Sequence, residues 1–203
     1  MNIFKEPKID CHVHVLDPVN FPYGKDIEYK PSGQEIGTPS QLRQVMQTYG
    51  VSHALLVQPN SGYGTIARGG GRFKGIAIIA FDADLAALRE LKAQGIVGAA
   101  FNPTFHGIDY YKRSADLIGK LAQLDMFLQI QSEHDQLSMF VPWIEAMPIR
   151  VLIDHCGRPT PDWTSPASRR CCGSPLPSGS ALSCPAIRNF RKSPTRSTTP
   201  GRT

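Results

Sequence analysis

Short apolar runs alternate with stretches of helical period along the first 160 residues. Residues 9–15, 53–57, 75–80, 97–101, 127–131 and 151–155 are apolar nearly throughout, as strands covered on both faces are. Between them the spacing predicts helices. In "TPSQLRQVMQTYG", Thr38 stands as N-cap, Pro39 at the first helical position and Gly50 as C-cap. "DADLAALRELKAQG" starts at an Asp, ends at Gly95 and puts Leu85, Leu88 and Leu91 on one face. Residues 111–124 and 136–146 are further predicted helices, with Pro142 starting or kinking the second. Strands that alternate with helices build parallel βαβ units. Six of them suit a doubly wound sheet or part of a (β/α)8 barrel, and periodicity does not separate the two.

Two stretches break the pattern. "SGYGTIARGGGRFKG" links two predicted strands without a helical period, where a parallel crossover normally includes a helix. Its glycines lack the spacing of the phosphate-binding motifs, so a loop or a missing helix is expected. After "DHCGRPTPD" the chain is dominated by Ser, Pro, Arg and Thr, with no sustained period. Such a segment cannot bury enough apolar surface to offset its ordering entropy. The expected division is therefore an α/β unit over residues 1–161 and a low-order basic tail over 162–203.

Composition changes this picture in three ways. At 203 residues, 41 % hydrophobic and 19 % charged, the chain is that of a globular protein with a sizeable core. No run reaches the roughly 18 apolar residues of a membrane span, and "MNIFKEPKID" lacks a secretory apolar region. A cytoplasmic protein without membrane association is expected. The net charge of +5 belongs to the tail: residues 162–203 carry six Arg and one Lys against one Asp, whereas residues 1–161 carry 15 basic and 16 acidic residues. Without dense Lys/Arg clusters or interleaved aromatics, the tail is not expected to bind nucleic acid. The five cysteines, with no signal segment, read as free thiols.

Candidate chemistry collects at strand ends. In "IDCHVHVLDP", His12 and His14 project to one face of a strand and Cys11, Val13 and Val15 to the other. Two neutral imidazoles side by side suit a divalent ion or can polarise a carbonyl; two half-buried structural histidines are the plainer reading. "VLIDHCGRP" ends a strand in Asp154-His155, followed by Gly157 and Arg158. A guanidinium there suits a carboxylate held bidentately, unless Arg158 only pairs with an acid and Asp154 only caps the loop. "AAFNPTFHG" adds Asn102 and His106, and "LQIQSEHD" adds Gln131, Glu133 and His134. All four clusters follow strands, the position from which (β/α)8 barrels act.

Taken in order, "DCHVHVLDP", "FPY…EYKP", "LLVQPNSGYGT", "GGGRFKGIAII", "VGAAFN" and "VLIDHCGRP" resemble the amidohydrolase superfamily. The branch is the amidohydrolase-related one that contains the 2-pyrone-4,6-dicarboxylate hydrolases and other lactone hydrolases. The resemblance runs from about residue 8 to Pro161. It implies a (β/α)8 barrel, here with about six strands, hydrolysing a small carboxylated lactone or related carbonyl substrate. His12, His14 and His155 are its implied catalytic residues. Tyr29, Asn102, His106, Gln131 and Arg158 are its implied substrate contacts. The same three histidines are the implied ligands if a divalent metal such as zinc is bound; otherwise no cofactor is required. In the metal-free scheme the histidines polarise the carbonyl and an Asp after the eighth strand activates water.

Three departures qualify the resemblance. Ala100 stands where the pyrone dicarboxylate hydrolases carry an Arg, which argues against the dicarboxylate itself as substrate. Most of a helix before "GGGRFKG" is missing. No strands, and no general base, follow "DHCGRP" in recognisable form. An out-of-frame reading from about residue 162 would account for the tail, since "RKSPTRSTTPGRT" shifted by one nucleotide can read "QEPYPFDDAWPY". Impaired hydrolysis is therefore expected. An inactive truncated product and a metal-dependent decarboxylase relative are the alternatives, and the oligomeric state stays open.

Overall fold

A computed structural model describes residues 6–25, 27, 30–59 and 71–159. Tyr29, the glycine-rich connection from residue 60 to 70 and the whole tail lie outside the described residues.

Six parallel strands form one sheet: β1 (Lys8–Val13), β2 (Val51–Val57), β3 (Phe73–Ala77), β4 (Ile96–Phe101), β5 (Phe127–Ile130) and β6 (Arg150–Ile153). Their spatial order is their order in sequence, and every neighbouring pair is parallel. A doubly wound sheet reverses its strand order at a switch point. This one does not, so it is a barrel wall. A flat sheet with strands ~4.8 Å apart would hold β1 and β6 about 24 Å from each other. Yet His12 on β1 lies 3.1 Å from Asp154, the residue after β6. The sheet is curled into an arc whose first and last strands meet at the C-terminal rim.

The helices cover the convex side, each for reasons visible in its residues. In α1 (Pro39–Tyr49), the Thr38 hydroxyl accepts from the Gln41 N–H while the Gln41 side chain accepts from the Thr38 N–H, closing a capping box. Gly50 ends that helix in the left-handed region at φ 68. Asp84 caps α2 (Leu85–Ala93) by accepting from the Ala87 N–H at 2.7 Å, and Leu88 is buried in the core. Two single turns, α3 (Pro103–His106) and α4 (Ile108–Tyr111), lead to α5 (Ala115–Gln123), which buries Leu117, Ile118 and Leu121. Finally α6 (Gln136–Glu145) buries Leu137, Phe140, Val141 and Ile144. The main core lies between these helices and the outward residues of β4–β6, including Phe101, Leu128, Ile130, Val151 and Ile153. Val13 and Val15 pack with Met46, Ala54 and Leu56 under α1, as expected for the face opposite His12 and His14.

Several predicted boundaries move, each for a local reason. β3 ends at Ala77 because the Gln58 side chain, not a strand, accepts the next N–H, that of Ile78, at 2.9 Å. The helix expected over residues 111–124 is broken by a tight turn at Lys112–Ser114, where the buried Ser114 hydroxyl donates to the Tyr111 carbonyl. Pro142 stands inside α6 rather than at its start, in a helix held by its apolar face. Among the described residues no helix is long and apolar enough to cross a membrane.

Gly98 sets the spacing of the arc. A Cβ there would lie 2.6 Å from the Phe127 carbonyl oxygen and 2.8 Å from Ile76 Cδ1. Gly98→Ala is therefore expected to cost about 1–3 kcal/mol through overpacking, read as a lower urea midpoint at unchanged m-value.

Candidate active site

The rim gathers its polar groups because every strand ends there with its chain still in βα position. His12 is the fifth residue of β1, and His14 lies just past the strand. Alternation keeps both on the concave face. The His14 Nδ1–H donates to the carbonyl of Val57, the last residue of β2, at 2.8 Å. The His12 Nδ1–H donates to Asp154 Oδ1 at 3.1 Å. With both Nδ1 atoms engaged as donors, each Nε2 keeps its lone pair. Those two nitrogens face each other at 3.2 Å.

Two lone pairs at that distance repel unless an electrophile shares them. A proton or a divalent ion satisfies the pair. The spacing matches the roughly 3.3 Å between two nitrogens on one tetrahedral zinc with Zn–N bonds of about 2.0–2.1 Å. The His155 ring lies 5.0 Å from that of His12, centroid to centroid. Donor atoms of His12, Asp154 and His155 fall within 4.8 Å of one another. The residues present thus fit a divalent cation.

The anchor of the group is Asp154. It is 5 % exposed, and its second oxygen, Oδ2, accepts from Gln129 Nε2 at 2.6 Å. Directly after it the backbone enters an unusual run: His155, Cys156, Gly157 and Arg158 have φ of 47, 55, 77 and 40. A left-handed conformation costs a non-glycine residue roughly 1–3 kcal/mol and collects at functional sites. The run is tied down by the Arg158 N–H donating to the His155 carbonyl and by the His134 N–H donating to the Arg158 carbonyl. It turns His155 back over the mouth toward His12.

The other expected contacts divide. Asn102 and Gln131 follow β4 and β5, and Asn102 Nδ2 donates to Gln131 Oε1 at 3.2 Å. Asn102 also caps α3 through its side-chain oxygen, and its own N–H donates to the Tyr111 hydroxyl at 2.7 Å. Burial raises the Tyr111 phenol to about 12, against the Asn102 bond that lowers it. His106 stacks on Tyr110 on the exposed side of α3–α4, with ring centroids 4.8 Å apart, and touches none of the three clustered histidines. Arg158 is exposed and serves the loop through its backbone. Gln129 was not among the expected site residues, and Asp154 stood there only within a strand-end cluster, with loop capping as its plainer reading. The only signal for them was a polar side chain inside each of two apolar strand runs, "FLQI" and "VLID".

A family model described as amidohydrolase matches residues 9–171, which takes in the six strands from Ile9 onward. The chain belongs to the amidohydrolase family. This amidohydrolase-family chain is 27 % identical over 169 residues to the 2-pyrone-4,6-dicarboxylate hydrolase of Comamonas testosteroni, covering 77 % of the chain and 54 % of the relative. It thus spans about half the length of that curated relative. A solved Acinetobacter baumannii protein, assigned as a 2-pyrone-4,6-dicarboxylic acid hydrolase with citric acid bound, superposes with a TM-score of 0.69 at 24 % identity, over 81 % of this chain and 64 % of that one. An apo structure from Agrobacterium tumefaciens gives 0.64 at 21 % identity, over 75 % and 56 %. At these identities the likeness establishes the fold, an incomplete TIM-type barrel.

Two measurements test the amidohydrolase-family geometry. Asp154→Ala leaves the His12 Nδ1–H and the Gln129 amide without acceptors, so stability should fall by roughly 2–5 kcal/mol in a urea melt; an unchanged midpoint would contradict the anchor. Burial lowers the pKa of His14 below 6.5, opposed by the Val57 carbonyl and, more weakly, Asp154, and aided by His12 and His155. As the pH falls through about 6.5 the unfolded chain therefore takes up this proton first, and His14 withdraws stability from the fold on the acid side. Its ring signal in an NMR titration should show a midpoint below 6.5.

Proposed function

We propose that this chain carries the carbonyl-polarising part of a hydrolase site for a small carboxylated lactone or related carbonyl compound. The observation that carries the reading is the pair of Nε2 lone pairs from His12 and His14, held face to face by Asp154 and Val57, with His155 turned over them. Once a proton or a divalent ion is shared between the two nitrogens, such a cluster can meet the oxygen of a carbonyl as charge develops on it. Where zinc or another divalent ion is bound, His12, His14 and His155 hold it, and it supplies Lewis-acid polarisation of that same carbonyl. Asn102 and Gln131, joined on the rim, offer amide groups to the substrate's polar edge, with Arg158 and Tyr29 as further contacts. The named activity of the Comamonas relative and the citric acid in the Acinetobacter structure support a carboxylated ligand.

Turnover is expected to be slow. Among the described residues the carboxylate placed in the cluster is Asp154, which already accepts from both His12 and Gln129, so it is committed to orientation rather than to deprotonating water. The test uses the full chain with citrate and a panel of carboxylated lactones, with and without added zinc. Citrate should shift the His12 and His14 ring signals, and His12→Ala should weaken its binding at least about ten-fold. Lactone opening should stay near background. Unmoved imidazole signals would sink the reading, and fast turnover abolished by His12→Ala would sink its slow-turnover part. Stoichiometric zinc with release of carbon dioxide, instead of ring opening, would move the chain to the metal-dependent decarboxylase reading.

A further inference from the structure

The side chain of Gln129, third residue of β5 and 1 % exposed, lies on the concave face behind Asp154. Its strand partners are Ala100 on β4 and Leu152 on β6, neither with a polar side chain. Its Nε2 lies 2.6 Å from Asp154 Oδ2, and its Oε1 has no hydrogen-bond partner among the described residues. The reverse amide orientation would set Oε1 against a carboxylate oxygen at the same distance, acceptor on acceptor, so among the described residues Asp154 decides which way the amide stands. A buried amide that leaves one end unsatisfied in order to keep the other on a carboxylate is being used for direction.

We propose that Gln129 is a positioning residue that sets the tautomer of His12. The chain of contacts is continuous. The Gln129 amide donates to Asp154 Oδ2 and stops the carboxylate turning about its own axis. Oδ1 is thereby left on His12 Nδ1, at 3.1 Å, which draws the ring proton to Nδ1. Nε2 is then the lone-pair nitrogen, and it is the atom set 3.2 Å from His14 Nε2. Without Gln129 the carboxylate has one anchor instead of two, and a proton moved to His12 Nε2 would be accepted by His14 Nε2 and occupy the shared face that a ligand needs. Second partners of this kind orient an imidazole through the nitrogen it does not present. The proposal rests on the reading that His12 presents Nε2 to its ligand.

The experiment is ¹⁵N-histidine NMR on the full metal-free chain, with His12 identified by the signal lost in His12→Gln. Wild type should show a protonated Nδ1 and a lone-pair Nε2 at His12. In Gln129→Leu, the two nitrogen shifts should move toward each other as both tautomers become populated. Gln129→Glu should restore the wild-type pattern, because two carboxyl groups this close share one proton, which donates to Oδ2. If the leucine variant does not fold, Gln129→Met fills the same volume and takes its place. A wild-type His12 protonated on Nε2, or shifts unmoved in a folded Leu or Met variant, would overturn the proposal. A purely structural Gln129 would lower the melting temperature and leave the His12 shifts alone. Loss of citrate binding with the tautomer pattern intact would defeat the ligand reading and leave this one standing.

Discussion

The buried carboxylate of Asp154 is the contact on which the site depends. It belongs to the residue after the sixth strand, and it accepts from a histidine on the first. Between them lie four strands of parallel ladder. No backbone bond joins β1 to β6 among the described residues, so side chains hold the two ends of the arc in reach of each other. Burying a carboxylate is costly unless its lone pairs are satisfied. Here one oxygen faces His12 and the other faces Gln129, and each partner is itself fixed by a strand. The energetic demand of one buried acid thus becomes the orientation of an imidazole.

Strain is placed beside that anchor. Four consecutive left-handed residues are an expensive way to leave a strand, and an ordinary turn could follow Ile153 as well. The run brings the His155 ring within 5.0 Å of the His12 ring immediately after Asp154 has turned inward. Two neighbouring residues therefore serve opposite ends of the same imidazole group, one by accepting its proton and one by flanking its ring. The loop after β5 braces this turn through the His134 N–H and the Ser132 hydroxyl, which reach the carbonyls of Arg158 and Gly157. Rigid loops on one rim of a parallel barrel are how this architecture builds sites.

Much of this was legible in the residues. The six apolar runs and the caps at Thr38 and Gly50 locate the elements to within a few residues, since capping and burial act locally; the second helix, read from the Asp that opens "DADL", takes the next one, Asp84, as its cap. Where boundaries slipped, a side chain had replaced a backbone partner, as Gln58 does beyond β3 and Ser114 does before α5. Strand alternation put His12 and His14 on one face, and the family resemblance, not a local pattern, joined His155 to them. His106, expected as a substrate contact after β4, ends the short turn α3 and stacks on Tyr110.

The sequence by itself determined parallel βαβ units and a first strand with two imidazoles on one face, because hydrophobic period and strand alternation are properties of neighbouring residues. Only the tertiary structure decided that Asp154 and Gln129 belong to the site. Their roles arise from curvature, which brings residues 142 positions apart within 3.1 Å, and no local pattern encodes how far a sheet will curl. The same curvature turns two adjacent histidines from a strand motif into a pair of nitrogens with one direction and one shared face.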